Sequence, residues 1–100
     1  MLNLLRFAPG GRESYARYAA ALRDVFLPRY GGEVLYAGDG GPALVAEDGQ
    51  SWDSVLLVRY PSREAFSRMV ADPEYQEVTR LRTDALREAV LQPTTSWSTP

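Results

Sequence analysis

The chain has 100 residues, which is enough for one domain and too few for two. Its 45% apolar and 24% charged residues are typical of a folded globular protein, and its net charge of −2 offers no broad attraction for nucleic acid or an anionic membrane surface. Cysteine and histidine are absent and all 11 positive charges are arginine, which excludes thiolate and imidazole chemistry, metal sites built on those ligands and a lysine Schiff base.

The first elements predicted along the chain are a strand and a helix. Residues 2–7 form a short apolar run that ends at a Pro-Gly-Gly stop, which indicates a strand. From Glu13 to Phe26 the apolar residues fall within an arc of roughly 120° on a helical projection, with charged residues opposite. We therefore predict an amphipathic helix that Pro28 and the glycine pair at 31–32 end.

Two further strands are predicted in the middle of the chain. Residues 33–37 are typical of a strand, and residues 38–50 fit either a bulged continuation of that strand or a small separate excursion. Asp48-Gly49 is a turn signal between apolar runs, so we expect a hairpin into the third strand. That strand covers residues 52–60 and ends at Pro61.

The last part of the chain predicts a helix in two pieces and a fourth strand. Ser62 is a suitable N-cap for the first piece, and Asp72-Pro73 supplies both a cap and a first-turn proline for the second. Residues 89–95 indicate a fourth strand, and the proline within them places it at a sheet edge. One face of the second helical piece carries Tyr75, Val78, Arg82 and Leu86.

The order strand, helix, strand, strand, helix, strand predicts an α+β fold with helices on one side of a four-stranded antiparallel sheet. This βαββαβ order is that of the ferredoxin-like architecture. We expect residues 1–97 to form a single domain, with Trp97 in a polar environment and residues 98–100 as a short polar tail.

The predicted central strands are apolar on both faces. A single layer of helices covers only one face of a sheet, and the other face is expected to be polar unless something else covers it. We therefore predict a homodimer that pairs through the sheet face left free of helices. The opposed sets are Val55 and Leu57 against Leu56 and Val58 in the third strand, and Leu5 and Phe7 against Leu2 and Leu4 in the first.

The segment WDSVLLVRYPSREAF at Trp52–Phe66, with DPEYQ at Asp72–Gln76 and then Arg82, resembles the family called domain of unknown function 1330. The opening MLNLLRF, with Tyr15, Tyr18 and the GGE that starts at Gly31, is similar to the first half of that family. The resemblance implies the dimeric α+β barrel superfamily, in which two ferredoxin-like units join their sheets face to face. Relatives there include muconolactone isomerases, cofactor-free antibiotic-biosynthesis monooxygenases and haem-degrading oxygenases. Several of these rely on histidine, so their chemistry is not transferable as a whole to a chain without it.

Arg82 is the most informative candidate for a functional residue, because it lies inside the apolar stripe of its helix. Two interpretations stay open. Either it faces a pocket between helix and sheet and binds an anionic or carbonyl-bearing ligand, or it pairs with a carboxylate such as Asp53 or extends to solvent.

Other candidates for the ligand pocket come from polar and aromatic side chains near the predicted sheet. Asn3 either positions a ligand carbonyl or satisfies a neighbouring backbone group, and Asp53 acts either as a general base or as a turn or ion-pair residue. The aromatic side chains either line a pocket or serve core packing and dimer contact. They are Tyr15, Tyr18, Tyr36, Trp52, Tyr60 and Tyr75.

Two functions are compatible with these features. The first is a small-molecule-binding protein or a cofactor-free, oxygenase- or isomerase-like enzyme, with one pocket per subunit and neither metal nor haem. The second is a non-catalytic homodimeric interaction module, which predicts a filled interior without a cavity of about 300 Å3. No apolar run approaches the roughly 20 residues that span a bilayer, and no signal peptide is recognised, so we expect a cytoplasmic location.

Overall fold

The computed structural model describes residues 1–97, and the predicted tail at 98–100 lies outside the described residues. Helices and strands alternate in the order expected for a mixed α+β fold. The elements are β1 (Leu2–Phe7), α1 (Gly11–Ala21), a π-helical segment (Leu22–Phe26), α2 (Leu27–Tyr30), β2 (Glu33–Asp39), β3 (Ser54–Arg59), α3 (Arg63–Ala71), α4 (Pro73–Ala85) and β4 (Leu86–Gln92).

The four strands form one antiparallel sheet in the order β2-β3-β1-β4, which confirms the predicted four-stranded antiparallel sheet. β1 and β3 are the central strands, and Leu4 of β1 lies opposite Val55 of β3 and Val90 of β4. β4 is an edge strand, as predicted, and it stops at the residue before Pro93, which has no N–H to donate to a ladder.

The helices pack on one face of this sheet and bury its side chains. Leu5 of β1 and Val58 of β3 are fully or almost fully buried there, at 0% and 2% exposure. The other face, which we call the outer face, carries alternate residues of the same strands and lies outside the buried core. Its apolar side chains are Leu2, Leu4, Val55, Leu57 and Val90, with Tyr36 beside them.

The core between helices and sheet is rich in aromatic side chains. Tyr15 and Tyr18 of α1 pack with Phe26 of the π-helical segment and Tyr75 of α4, with ring centroids 5.4–6.2 Å apart. Gly11 lets α1 approach the end of α4, because an added Cβ would collide with the backbone carbonyl of Ala85.

The first helical region extends further than predicted. Pro28 does not end it: the chain stays helical to Tyr30, and the prediction of a stop at this proline is wrong. Proline has no backbone N–H to donate to the preceding turn of a helix. The helix continues past Pro28 because the regular hydrogen-bond pattern is already interrupted just before it, in the π-helical segment. The stop is Gly31, whose φ of 75° lets its N–H reach the Leu27 carbonyl.

Both predicted helix caps in the second half are confirmed. The Ser62 hydroxyl accepts a hydrogen bond from the Ala65 N–H at 3.0 Å, and α3 follows. The Asp72 carboxylate accepts from the Glu74 N–H at 2.9 Å, with Pro73 at the first position of α4. The side chain at each cap satisfies an N–H that the helix itself leaves without a partner.

Several strand boundaries differ from the predictions. β2 continues to Asp39, so the first residues after Ala37 are a continuation, whereas residues 40–53 lie outside any strand or helix. β3 begins at Ser54 and ends at Arg59, shorter than the predicted 52–60 at both ends. Leu86 was predicted in the last helix, but it is extended at φ −112° and ψ 134°, so β4 begins there rather than at Ala89 and ends at Gln92 rather than at Thr95.

Candidate functional site

A cavity of about 270 Å3 lies between the helices and the helix-covered face of the sheet. Its wall combines an apolar surface with a cluster of polar side chains. The apolar residues are Leu22, Leu56, Val58, Phe66, Val70 and Leu91. The polar residues are Asn3, Tyr15, Tyr18, Tyr60, Tyr75, Gln76, Thr79 and Arg82.

Arg82 lines this cavity from α4, and its Nη2 atom is buried without a hydrogen-bond partner within residues 1–97. The structure does not pair Arg82 with Asp53. That carboxylate instead accepts a hydrogen bond from the Phe7 N–H at 2.8 Å. Nor does Nη2 reach solvent, since it is among the buried side-chain atoms. A buried guanidinium nitrogen with no acceptor is rare, because nearly all buried polar atoms in proteins are hydrogen-bonded.

Three of the tyrosines on the cavity wall have a pKa above the ordinary value. Burial raises the pKa of Tyr15, and the positive charge of Arg82 opposes part of that rise. Burial also raises the pKa of Tyr18 and of Tyr60. The Tyr18 and Tyr75 hydroxyls lie 2.8 Å apart, and either one can be the donor. The cavity therefore presents uncharged hydroxyl groups beside one cation.

Asn3 lies on the sheet side of the cavity and is 8% exposed. The central position of β1 puts it opposite Leu56 of β3 and Leu91 of β4, both of which also line the cavity. Its amide nitrogen donates to the Met1 carbonyl over a long 3.4 Å contact. Asn3 thus has both a backbone partner and a place on the cavity wall.

Trp52 and Asp53, which were also candidates, lie away from this cavity. The Trp52 ring stacks under the Arg6 guanidinium, 5.1 Å from its centroid, at the end of the β2–β3 loop. Asp53 donates its N–H to the Leu5 carbonyl at 2.7 Å and holds Phe7 through its side chain. These two residues anchor the loop to β1. Their positions depend on the path of that loop, which the sequence does not define, so their distance from the cavity was not predictable.

Gln76 and Thr79 line the cavity and were not predicted. Helical spacing contained part of the signal, because Gln76 lies three residues before Thr79, and Thr79 three residues before Arg82. Tyr36, another of the candidate aromatic residues, lies on the outer face and is 57% exposed. Within residues 1–97, no three acidic side chains are grouped so that they could hold a metal ion, and no helix there combines the length and apolarity needed to cross a membrane.

The fold and cavity define a small α+β protein with a pocket between its helices and its sheet. The chain belongs to the family described as domain of unknown function (DUF1330), whose model matches residues 6–92. Among solved structures it is similar to RPA0582, a protein of unknown function from Rhodopseudomonas palustris, with 31% identity and a TM-score of 0.79 over 95% of this chain and 81% of that one. The methylated RPA0582 protein gives the same identity and TM-score over 94% and 78%. No curated protein matches.

Proposed function

We propose that the protein binds a small organic molecule in the cavity beside Arg82. The observation that carries this proposal is the position of Arg82, which lines the cavity and whose Nη2 atom is buried without an acceptor among the described residues. Burying a polar group without a hydrogen bond costs about 1–3 kcal/mol in proteins, and an unpaired charge costs more. An oxygen atom of a ligand bound in the cavity would be an acceptor for the Arg82 guanidinium.

The dimensions and composition of the cavity support the same proposal. Its volume of about 270 Å3 is close to the range for ligand pockets and slightly below its lower limit of about 300 Å3. Such pockets are mostly apolar with a few convergent polar groups, as here. A non-catalytic interaction module, the alternative function, would not need an open space next to a buried cation.

Any reaction in this cavity would be cofactor-free in our proposal, in the manner of an oxygenase or an isomerase. Arg82 would stabilise negative charge that develops on a substrate oxygen, and the neutral hydroxyl of Tyr15 would donate a hydrogen bond to the same atom. Asn3 would orient the substrate from the sheet side. These are binding and electrostatic roles.

We further propose that the domain is ferredoxin-like and that two copies pair through their outer faces as a dimeric α+β barrel. The βαββαβ order and the strand order β2-β3-β1-β4 support the first part. The apolar side chains of the outer face support the second, since covering one such side chain fully contributes about 1.5–3 kcal/mol. Ion pairs flank this apolar area, as in the polar rim of an interface. They are Arg59–Glu33 at 2.8 Å and Arg6–Glu88 at 3.0 Å.

Arg82→Met tests the ligand proposal, because methionine keeps most of the apolar stem and removes the charge. We expect a panel of small organic acids, amides and alcohols to contain compounds that raise the Tm of the natural protein. At about ten times Kd the rise is roughly 5–10 °C for a domain of this size. Arg82→Met loses this rise while its Tm without ligand stays the same or increases.

Arg80→Met is the matched control, since Arg80 is exposed on the same helix and does not line the cavity. It keeps the ligand-induced rise in Tm. The proposal is wrong if Arg82→Met unfolds the protein without ligand, because Arg82 would then have a structural role. It is equally wrong if no compound changes the Tm of the natural protein.

A further inference from the structure

We infer that the ligand is an organic monoanion, a single carboxylate on an apolar body, with the carboxylate bound by Arg82 and the neighbouring tyrosine hydroxyls. This inference rests on the proposed function and narrows it to one chemical class. It follows from the charge of the cavity wall, from its hydrogen-bond donors and from its apolar part.

The charge of the wall is the first argument. The described residues that line the cavity include one arginine and no aspartate or glutamate. In a buried site of low effective dielectric constant, one positive charge is best compensated by one negative charge. A neutral ligand would leave the Arg82 charge uncompensated. A dianion such as a phosphate would bring a second negative charge with no cation to pair with it.

The donors around Arg82 are the second argument. A guanidinium presents its N–H groups as a planar fork that matches the two oxygens of a carboxylate. Burial keeps Tyr15 protonated by raising its pKa, so this phenol donates a hydrogen bond and does not neutralise Arg82. The paired Tyr18 and Tyr75 hydroxyls place one more O–H group at the same wall. This set of one cation and neutral donors suits a carboxylate group.

The rest of the wall defines the body of the ligand. Leu22, Leu56, Val58 and Leu91 supply aliphatic surface, and Phe66 supplies an aromatic ring. A sugar or a nucleoside would lose the hydration of its hydroxyl groups against this surface without gaining hydrogen bonds in return. An aliphatic or aromatic body gains from the same contact. The expected ligand therefore has its polar atoms at one end.

Calorimetric titration with three sets of matched compounds tests the inference. The carboxylates are phenylacetate, cyclohexylacetate and hexanoate. Each is compared with its primary amide and with the phosphonate of the same body, at a pH high enough to make the phosphonate a dianion. The natural protein is expected to bind at least one carboxylate roughly tenfold or more tightly than its amide, since a charge-assisted bidentate contact is about twice as strong as a neutral one. The phosphonate is expected to bind more weakly than the carboxylate. In Arg82→Met the preference for the carboxylate disappears, whereas Arg80→Met retains it.

The possible outcomes distinguish a failure of this inference from a failure of the proposed ligand-binding function. If an amide binds as tightly as its carboxylate, the ligand is not selected by charge and the inference is wrong, although the cavity is still a binding site. If a phosphonate binds as tightly or more tightly, the monoanion is the wrong class. If Arg82→Met keeps the preference, the carboxylate is not bound by Arg82. If none of the nine compounds binds, the inference and the proposed function fail together.

Discussion

Arg82 occupies a position that the apolar spacing of α4 would otherwise give to a leucine or a methionine. Its Nη2 atom is buried without an acceptor in the described part of the chain, which makes the residue unfavourable for stability alone. Proteins keep unfavourable residues mainly where function requires them. The tyrosines around Arg82 share this environment, and burial raises the pKa of three of them: Tyr15, Tyr18 and Tyr60.

These tyrosines give the protein a predictable response to alkaline pH. In the unfolded chain they ionise near their ordinary pKa of 10.0, whereas in the folded protein they stay protonated. The raised pKa therefore contributes stability that is fully present below pH 10 and is lost as the pH rises further. We expect the free energy of unfolding, measured in urea, to be constant up to about pH 9 and to fall above it.

The free energy of unfolding of Tyr18→Phe should fall less steeply with pH than that of the natural protein, because one ionisable group has been removed. The difference in slope is expected to be up to about 1.4 kcal/mol per pH unit above pH 10. A natural protein that is as stable at pH 10.5 as at pH 8 would contradict the buried, neutral state of these side chains.

At the scale of helices and strands, the close approach of α1 to the end of α4 depends on Gly11. Gly11→Ala places a methyl group against the Ala85 carbonyl, which is backbone and cannot turn away. We expect a loss of about 1–3 kcal/mol in the free energy of unfolding, as for other overpacked sites. The measurement is urea denaturation followed by circular dichroism.

Gly41→Ala is the control for this substitution, because no atom lies within 4 Å of a Cβ built at Gly41 and its φ is not positive. It is expected to change the free energy of unfolding by less than about 0.5 kcal/mol. If Gly11→Ala is as stable as Gly41→Ala, α1 and α4 are not held at the distance that the structure gives them.

Local sequence signals predicted the helix caps and most of the strands and helices. Boundaries that depend on contacts between residues far apart in the chain were not predicted correctly. Ser62 and Asp72 were recognisable as caps because a cap is a contact within a few residues. Leu86 was assigned to the wrong element because its side chain fits a helical face equally well. Its extended conformation is fixed by pairing with Phe7, about 80 residues away. Pro28 was read as a stop because local rules do not foresee a π-helical turn.

The candidate site shows the same division. Asn3, Tyr15, Tyr75 and Arg82 lie together on the cavity wall, and all four belong to regular strands or helices whose faces can be read from periodicity. Trp52 and Asp53 lie at the end of the irregular segment 40–53, and no periodic pattern fixes where such a segment runs. Whether the four residues act on a ligand is still a prediction.

The whole molecule is organised by a sheet that is apolar on both faces. One face is covered by helices and contains the cavity, whereas the outer face carries Leu4, Val55 and Leu57 without helices over it. A domain of about 100 residues has a modest core, so covering this face would add considerably to its stability. A second copy of the chain offers a complementary apolar surface by symmetry.

The measurement that tests this architecture most directly is sedimentation equilibrium at micromolar concentration, on the natural protein and on Leu57→Glu. The natural protein is expected to sediment as a dimer and Leu57→Glu as a folded monomer, since the new carboxylate would be buried between two sheets. Leu44→Glu is the matched control in the β2–β3 loop, where the side chain is 98% exposed, and it should remain a dimer. A natural protein that sediments as a compact monomer would contradict the pairing of the outer faces and the barrel built on it.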